Sequence, residues 1–387
     1  MSRWRALALL SIAELFAMSL WFGVSAVAPR VATEWHLTEA TTAWLTLAVQ
    51  LGFVAGTLFS ALANLPDIIS SRHLFALSAF AGAVINAFLA MRVHDVHVAI
   101  PLRFVTGFCL AGVYPPGMKI VATWFRSGRG VALATLIAAL TLGKGSPYLI
   151  NAIGSSNWRT NLVAISVLAA IGGIIVLFLA DGPYALPNQP FDVMQVTNVF
   201  RNRGVRLANL GYFGHMWELY AMWTWAPAML RASIGHRALA EAGSFVVIGS
   251  GAIGCVTAGL LADRFGRPVI ASVAMAISGA CCIVVGFLFG GSPVLLLIIA
   301  AVWGASVVAD SAQFSASVTE LGDPRYLGTA LTMQTCVGFL ITTVSIRLMP
   351  ILVDAIGWRF AFIALAPGPF LGIIAMMRLR VLQHAHA

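Results

Sequence analysis

Charge is what this 387-residue sequence has least of: Asp, Glu, Lys and Arg together make up 10% of it, where a soluble domain carries roughly 25%. Hydrophobic residues make up 60% and mean hydropathy is +0.91, which excludes water as the solvent for most of the surface. Lysine is almost missing, with only Lys119 and Lys144 in the chain. The net charge of +9 rests on arginines scattered between apolar runs, so no basic patch forms and a nucleic-acid partner is not expected. The five cysteines (Cys109, Cys255, Cys281, Cys282, Cys336) lie in apolar stretches without CxxC or His-bearing metal spacing. They read as small lipophilic packing residues, with no disulfide and no metal site. No Walker A sequence is present, which removes ATP hydrolysis as an engine and leaves an ion or solute gradient to do work. Neither enzymatic chemistry nor a cofactor is expected.

What is abundant is apolar sequence in lengths that suit a bilayer, since about 20 helical residues cross the roughly 30 Å hydrocarbon core. Gly, Pro and charge punctuation divide the chain into about twelve spans. They are expected at 7–29, 40–63, 73–91, 97–120, 130–152, 159–180, 207–230, 239–262, 268–290, 293–318, 327–351 and 357–379. Met1 to Leu10 are followed by no polar gap and no small-residue cleavage site, so they read as the start of a retained first helix. With the N-terminus in the cytoplasm, about thirteen arginines fall in inner loops and about six in outer ones. Positive loops stay inside, so both termini are expected to be cytoplasmic.

The longest polar interval runs from Asp181 to Arg206 and contains Pro183, Pro187 and Pro190. It separates an expected first half, 1–180, from a second, 207–387, with 181–206 as a cytoplasmic linker whose Phe191–Arg206 portion can lie as a surface helix. Three landmarks repeat across it at an offset of roughly 200 residues. Asn157-Trp158-Arg159 is echoed by Gly357-Trp358-Arg359, Gly130-Val131-Ala132-Leu133 by Gly328-Thr329-Ala330-Leu331, and Asp67 by Asp263. Duplicated six-helix halves are a transporter architecture.

One loop motif is sharp: Gly259-Leu260-Leu261-Ala262-Asp263-Arg264-Phe265-Gly266-Arg267, between the eighth and ninth spans. It resembles motif A of the major facilitator superfamily, in which an acid and arginines latch neighbouring helices. The expected latch residues are Gly259, Asp263, Arg264, Gly266 and Arg267. In the first-half copy, Ala63 to Arg72, only Asp67 and Arg72 persist. Arg103 to Gly112 is similar to motif B, with Arg103 either coupled to function or held in a structural pair. Tyr114-Pro115-Pro116-Gly117, with Trp124-Phe125 and Arg129-Gly130, also resembles the superfamily and its anion and organic-acid porters. The antiporter motif of the fifth span is replaced by Gly143-Lys144-Gly145-Ser146-Pro147, so the resemblance leans away from drug/proton antiporters. It implies an all-α membrane protein of the superfamily's fold in two pseudo-symmetric halves.

Ionisable residues inside the spans must pair or meet water. Lys144, flanked by glycines that admit a ligand, suits an anionic solute or pairs with a carboxylate of a neighbouring helix. Arg347 is a second anion contact or snorkels to the outer surface. His215, Glu218, Met222 and Trp225 fall at spacings that place them along one helical face. Glu218 lies roughly 16 Å into its span, the right depth for a proton carrier, and His215 relays the proton or fills a polar gap. Glu14 and Asp310 belong to the first and tenth helices, part of the central set that the resemblance implies. Tyr148 joins several tryptophans and tyrosines as a possible aromatic wall.

The sequence therefore points to a proton-coupled secondary active transporter of a small organic or inorganic anion. Expected solute contacts are Lys144, Arg103, Arg347, Tyr148 and Trp225, and expected proton carriers are Glu218, Asp310, Glu14 and His215. The alternative is a proton-driven efflux antiporter for amphipathic compounds. A monomer in a bacterial inner membrane is expected, with the solute, the proton and the lipid bilayer as its partners.

Overall fold

The computed structural model of the chain describes all residues except 126–127, 155–156, 181, 185–200, 324–326 and 385–387. Among the described residues every regular element is helical. Eleven helices, 20 to 32 residues long, are long and apolar enough to cross a membrane. A further one, Arg203–Ile234, is as long at 32 residues but holds His215, Glu218 and a run of Trp and Tyr, which lowers its hydropathy.

The first six spans are α1 (Arg3–Glu34), α2 (Glu39–Leu62), α4 (Ser71–Arg92), α5 with α6 (Val96–Leu110 and Tyr114–Trp124), α7 (Arg129–Ile153) and α8 (Trp158–Leu177), with the short α3 (Leu65–Ile68) after α2. The second set comprises α9 (Arg203–Ile234), α10 (Arg237–Phe265), α11 (Arg267–Val284), α12 with α13 (Pro293–Ala309 and Ser311–Leu321), α14 (Leu327–Ile356), α15 (Trp358–Ala361) and α16 (Pro367–His384). Helix starts follow local chemistry. Ser2, Thr38, Asp95, Asn157 and Ser292 each accept a backbone N–H of the following first turn, satisfying donors that a helix end leaves open. Asn157 is thus the cap before Trp158; in the echoed triplet its place is taken by Gly357, which has φ of +74°.

Three spans expected to be continuous are interrupted, the twelfth between Ala361 and Pro367. The fourth stops at Leu110 and restarts at Tyr114, where Pro115 and Pro116 lack amide hydrogens that the first turn of a helix has no use for. The tenth breaks at Asp310, and both restarted segments are 11 residues long. The expected linker helix lies mostly outside the described residues; the first helix of the second set already begins at Arg203.

The chain forms two compact units, Met1–Pro187 with Gly235–Gly249, and Asn188–Ile234 with Ser250–Ala387. The start of α10 packs with the first unit. Gly145 of α7 faces Phe245 and Ile248, Gly249 meets Leu142, and Arg237 donates to the Asn151 carbonyl at 3.4 Å. Within the first unit α1 packs on α7 and α8, α2 on α5, and α4 on α8. The second repeats this scheme, with α9 on α14 and α16 and α11 on α16. Lipid gives helices no hydrophobic reason to associate, so close backbone approach must supply the contact. At Gly107 a Cβ would collide with the Val49 carbonyl, which places the α2 and α5 backbones against each other.

Candidate functional site

The Gly143 to Pro147 segment sets the geometry of the first unit's core. A Cβ on Gly143 would strike the Leu15 carbonyl, so α7 lies directly on α1 there. Pro147 has no amide to give the Gly143 carbonyl, and the Ser146 hydroxyl replaces it, donating at 2.8 Å. Lys144 is thereby carried inward, 2% exposed, with Nζ 3.9 Å from the centroid of the Trp21 ring. A desolvated cation on an indole face gains about 2 kcal/mol. Glu14, fully buried one turn before Met18 on α1, is within Coulombic reach of Lys144. Its Oε2 lies only 2.8 Å from where a Cβ on Gly117 of α6 would stand, so that glycine leaves room for the carboxyl. Tyr148 is buried one turn beyond Lys144.

Arg103 is fully buried behind this group and directs its guanidinium at backbone. Nε donates to the Leu45 carbonyl at 3.2 Å, Nη1 to that of Leu20 at 3.0 Å, and Nη2 to that of Trp21. One side chain of α5 thus ties α1 to α2 and fixes the backbone of the residue whose ring carries Lys144. The Trp21 ring in turn rests on Phe53, with centroids 5.0 Å apart.

The second unit has its own buried polar group. Glu218 Oε1 accepts from Trp303 Nε1 at 2.6 Å and from the Cys282 thiol at 3.1 Å, while Oε2 accepts from the Ser278 hydroxyl at 2.9 Å. These donors, from α11 and α12, are all neutral. One turn earlier, His215 Nδ1 lies 2.8 Å from Asp310 Oδ1, and its Nε2 is 3.0 Å from the Ser311 hydroxyl. Tyr212 and Phe314 flank the imidazole. The face expected to hold His215, Glu218, Met222 and Trp225 together is divided. His215 and Glu218 turn to α11, α12 and α13, whereas Trp225 Nε1 donates to the Ile346 carbonyl of α14 at 3.0 Å. Arg347, the next residue, is exposed.

In the loop motif, α10 ends at Phe265, Gly266 adopts φ of +86°, and α11 starts at Arg267 with Pro268 in its first turn. Positive φ is what a glycine supplies at such a turn. Arg267 carries the tie: Nε and Nη2 both reach Glu320 Oε1 at 2.7 Å and Nη1 donates to Gln313 Oε1 at 3.2 Å. Gly259 is buried, while Asp263 and Arg264 are exposed, the latter lying over Phe265. Asp263 makes no ion pair among the described residues. In the first-half copy Arg72 donates to the Leu179 carbonyl at 3.2 Å; the Asp67 side chain lies outside the described residues.

Many apolar helices, buried ionisable groups in each unit, and a loop of this sequence narrow the choice of families sharply. Residues 10–309 match the Major Facilitator Superfamily. The chain belongs to that superfamily. An MFS transporter of Aspergillus flavus, asaE, is 24% identical over 256 residues, which are 63% of this chain and 55% of that protein. The chain therefore spans about half the length of this curated relative. The crystal structure of the nucleoside transporter NupG superposes with a TM-score of 0.72 at 16% identity, covering 97% of this chain and 99% of that one. This superfamily member is a multi-pass membrane transporter and not an enzyme, as its composition and motifs suggested.

Sequence reasoning missed Ser278 and Cys282 as partners of Glu218, Glu320 as the partner of Arg267, and Gln50. Gln50 is fully buried mid-way along α2, and neither amide atom has a hydrogen-bond partner. It had a signal: it is the one amide between Leu45 and Phe59, a stretch whose other polar side chains are Thr46 and Thr57.

Proposed function

We propose that this superfamily member is a secondary active transporter that moves a small anionic solute by alternating access, with protons as the coupling ion. The observation that carries this reading is Lys144, a buried lysine held against Trp21 between two glycines. Lys144 and Tyr148 contact the solute; Arg103 positions Trp21 through its carbonyl; Trp225 and Arg347 border the path at α9 and α14. Glu218 carries the proton, with the His215 and Asp310 pair as its relay and Glu14 answering for the charge on Lys144. Neutralising a carboxyl next to an anion site removes repulsion, which links the two binding events thermodynamically. Gly259, Asp263, Arg264, Gly266 and Arg267, with Asp67 and Arg72, form the conformational latch. The working protein is a monomer in an inner (plasma) membrane with cytoplasmic termini, its halves at 1–180 and 207–387 joined by 181–206.

Purified protein in proteoliposomes under an imposed pH gradient tests this reading. Solute uptake should follow the gradient and vanish in Glu218→Gln; unchanged flux removes Glu218 as the coupling residue. In a thermal-shift screen, stabilisation by one anion that disappears in Lys144→Ala supports the anion site. Nucleosides belong in the same screen, because the superposed NupG is a nucleoside transporter.

A second reading is efflux of amphipathic compounds in exchange for protons. It is favoured by the buried aromatic contacts of Tyr220 with Trp223 and Phe339, at 5.3 and 5.0 Å between centroids, close to Glu218 in sequence. Resistance on expression, without stabilisation by any anion, would select it.

A further inference from the structure

The first unit's core contains more unsatisfied polarity than a bare anion would use. Both oxygens of Glu14 and both amide atoms of Gln50 are buried without a hydrogen-bond partner. A buried acceptor left in this state costs one to several kcal/mol, and interiors rarely tolerate it unless a ligand or water completes the set.

The placement of Gln50 follows from the register of α2. Residues Leu45, Val49, Gly52 and Gly56 face α5: Leu45 accepts from Arg103, and Val49, Gly52 and Gly56 meet the backbone of Gly107, Phe104 and Phe108. Thr46, Gln50, Phe53 and Thr57 form the adjoining stripe, one residue on, and it is buried as well. That stripe meets α1. Thr46 shares a 2.7 Å hydrogen bond with Ser25, and the Phe53 ring packs against Trp21 at a tilt of 58°. The helices are antiparallel, so Gln50, between those two contacts, stands at the level of Trp21. Helical side chains lean toward the N-terminus of their own helix. The Trp21 ring therefore covers the turn on its Glu14 side, where Lys144 from α7 meets it. Glu14, Lys144, Trp21 and Gln50 thus follow one another along the inner faces of α1, α2 and α7.

We propose that these four residues form a binding site for a small solute that carries both a carboxylate and an N–H donor, of the amino-acid or amido-acid class. The carboxylate goes to Lys144 and the Gln50 amide N–H, the nitrogen donates to Glu14, and the short apolar spacer lies against Trp21 and Phe53. This deepens the proposed function and rests on its assignment of solute binding to Lys144. Lys144 lies within Coulombic reach of Glu14. Arg103 on α5 is committed to carbonyls, and α8, which also packs on α1, carries no charge beyond Arg159 at its start. Acid and base together leave the site near neutral, matched to a solute with one charge of each sign.

Binding of three probes to the purified full-length protein, by thermal shift and by competition, tests the proposal: γ-aminobutyrate, butyrate and butylamine. The expected order is γ-aminobutyrate tighter than either singly charged analogue by about tenfold or more, the value of one charge-assisted hydrogen bond. Glu14→Gln should remove the preference for γ-aminobutyrate over butyrate, and Gln50→Leu should weaken both carboxylates. Equal affinities for γ-aminobutyrate and butyrate, or a Glu14→Gln variant that changes neither, overturn the proposal and leave the open atoms to bound water. In that outcome butyrate binding lost in Lys144→Met still upholds the anion site, whereas carboxylate binding indifferent to Lys144→Met sinks the proposed function itself. Glu14→Asp provides a folded control in which part of the preference for γ-aminobutyrate returns.

Discussion

Asp310 stands at the N-cap of α13 but gives its carboxyl to His215, 2.8 Å away, and leaves the amides of the helix it precedes uncapped by a side chain. Asp is among the best helix caps available. Its diversion to an imidazole on α9 therefore forgoes roughly 1 kcal/mol of helix stability for a link between the broken tenth span and the seventh.

That diversion predicts a selective loss. Asp310→Asn should abolish accumulation driven by a pH gradient while solute exchange at equal pH persists within about tenfold, and His215→Gln should do the same. The double variant should be no worse than either alone, because the pair acts as one unit. Rates in proteoliposomes, with and without the gradient, measure this; additive losses would show that the two residues work separately.

Arg103 should matter for stability before it matters for solute. Arg103→Lys keeps the charge but not the fork, so at most one of three carbonyl bonds survives, and the protein should lose roughly 2–4 kcal/mol. Thermal unfolding in detergent reports the loss, and the solute affinity of the surviving folded fraction should remain close to wild type.

Two glycines on either side of Lys144 should respond unequally. In Gly143→Ala the new methyl meets a backbone carbonyl of α1, which cannot give way, so folding yield should collapse. In Gly145→Ala it meets the side chains of Ile248 and Phe245 at 3.3 to 3.4 Å, which can shift by a few tenths of an ångström. Size-exclusion profiles of the two variants make the comparison, and equal profiles would contradict the close contact of α1 with α7.

Arg267→Ala should accelerate or unbalance the transport cycle more than Glu320→Gln does. Removing the carboxylate leaves the 3.2 Å bond to Gln313, whereas removing the arginine cuts both ties. Both partners of the ion pair are partly exposed, so the direct stability cost should be under about 1 kcal/mol, and the turnover number is the sensitive readout.

Much of the fold was legible because it is written locally. Span lengths and the glycine-bearing loop at Gly266 are properties of neighbouring residues. The breaks at 111–113 and 310 were not legible: Pro115 and Pro116 follow the first, and Asp310 with Ser311 marks the second, but such residues also occur inside unbroken membrane helices. Charges in hydrocarbon identified Glu14, Lys144, Glu218 and Asp310 as functional candidates because ionised groups there are costly. Gln50 passed unnoticed since an amide costs far less. Whether Arg103 served solute or scaffold was undecidable from sequence. Its carbonyl partners are 58 to 83 residues away, and nothing local announces them.

Arg267 grips the tenth span at Gln313 and Glu320, both beyond the break, and His215 holds Asp310 and Ser311 at the break itself. Mechanically, α13 is a beam of three turns, about 16 Å long, pinned at its head by a histidine and along its length by an arginine, while α12 above it bears neither load. Loosening either pin frees a short stub instead of tilting a whole transmembrane rod. The moving mass, and the lipid that must be rearranged around it, are correspondingly small.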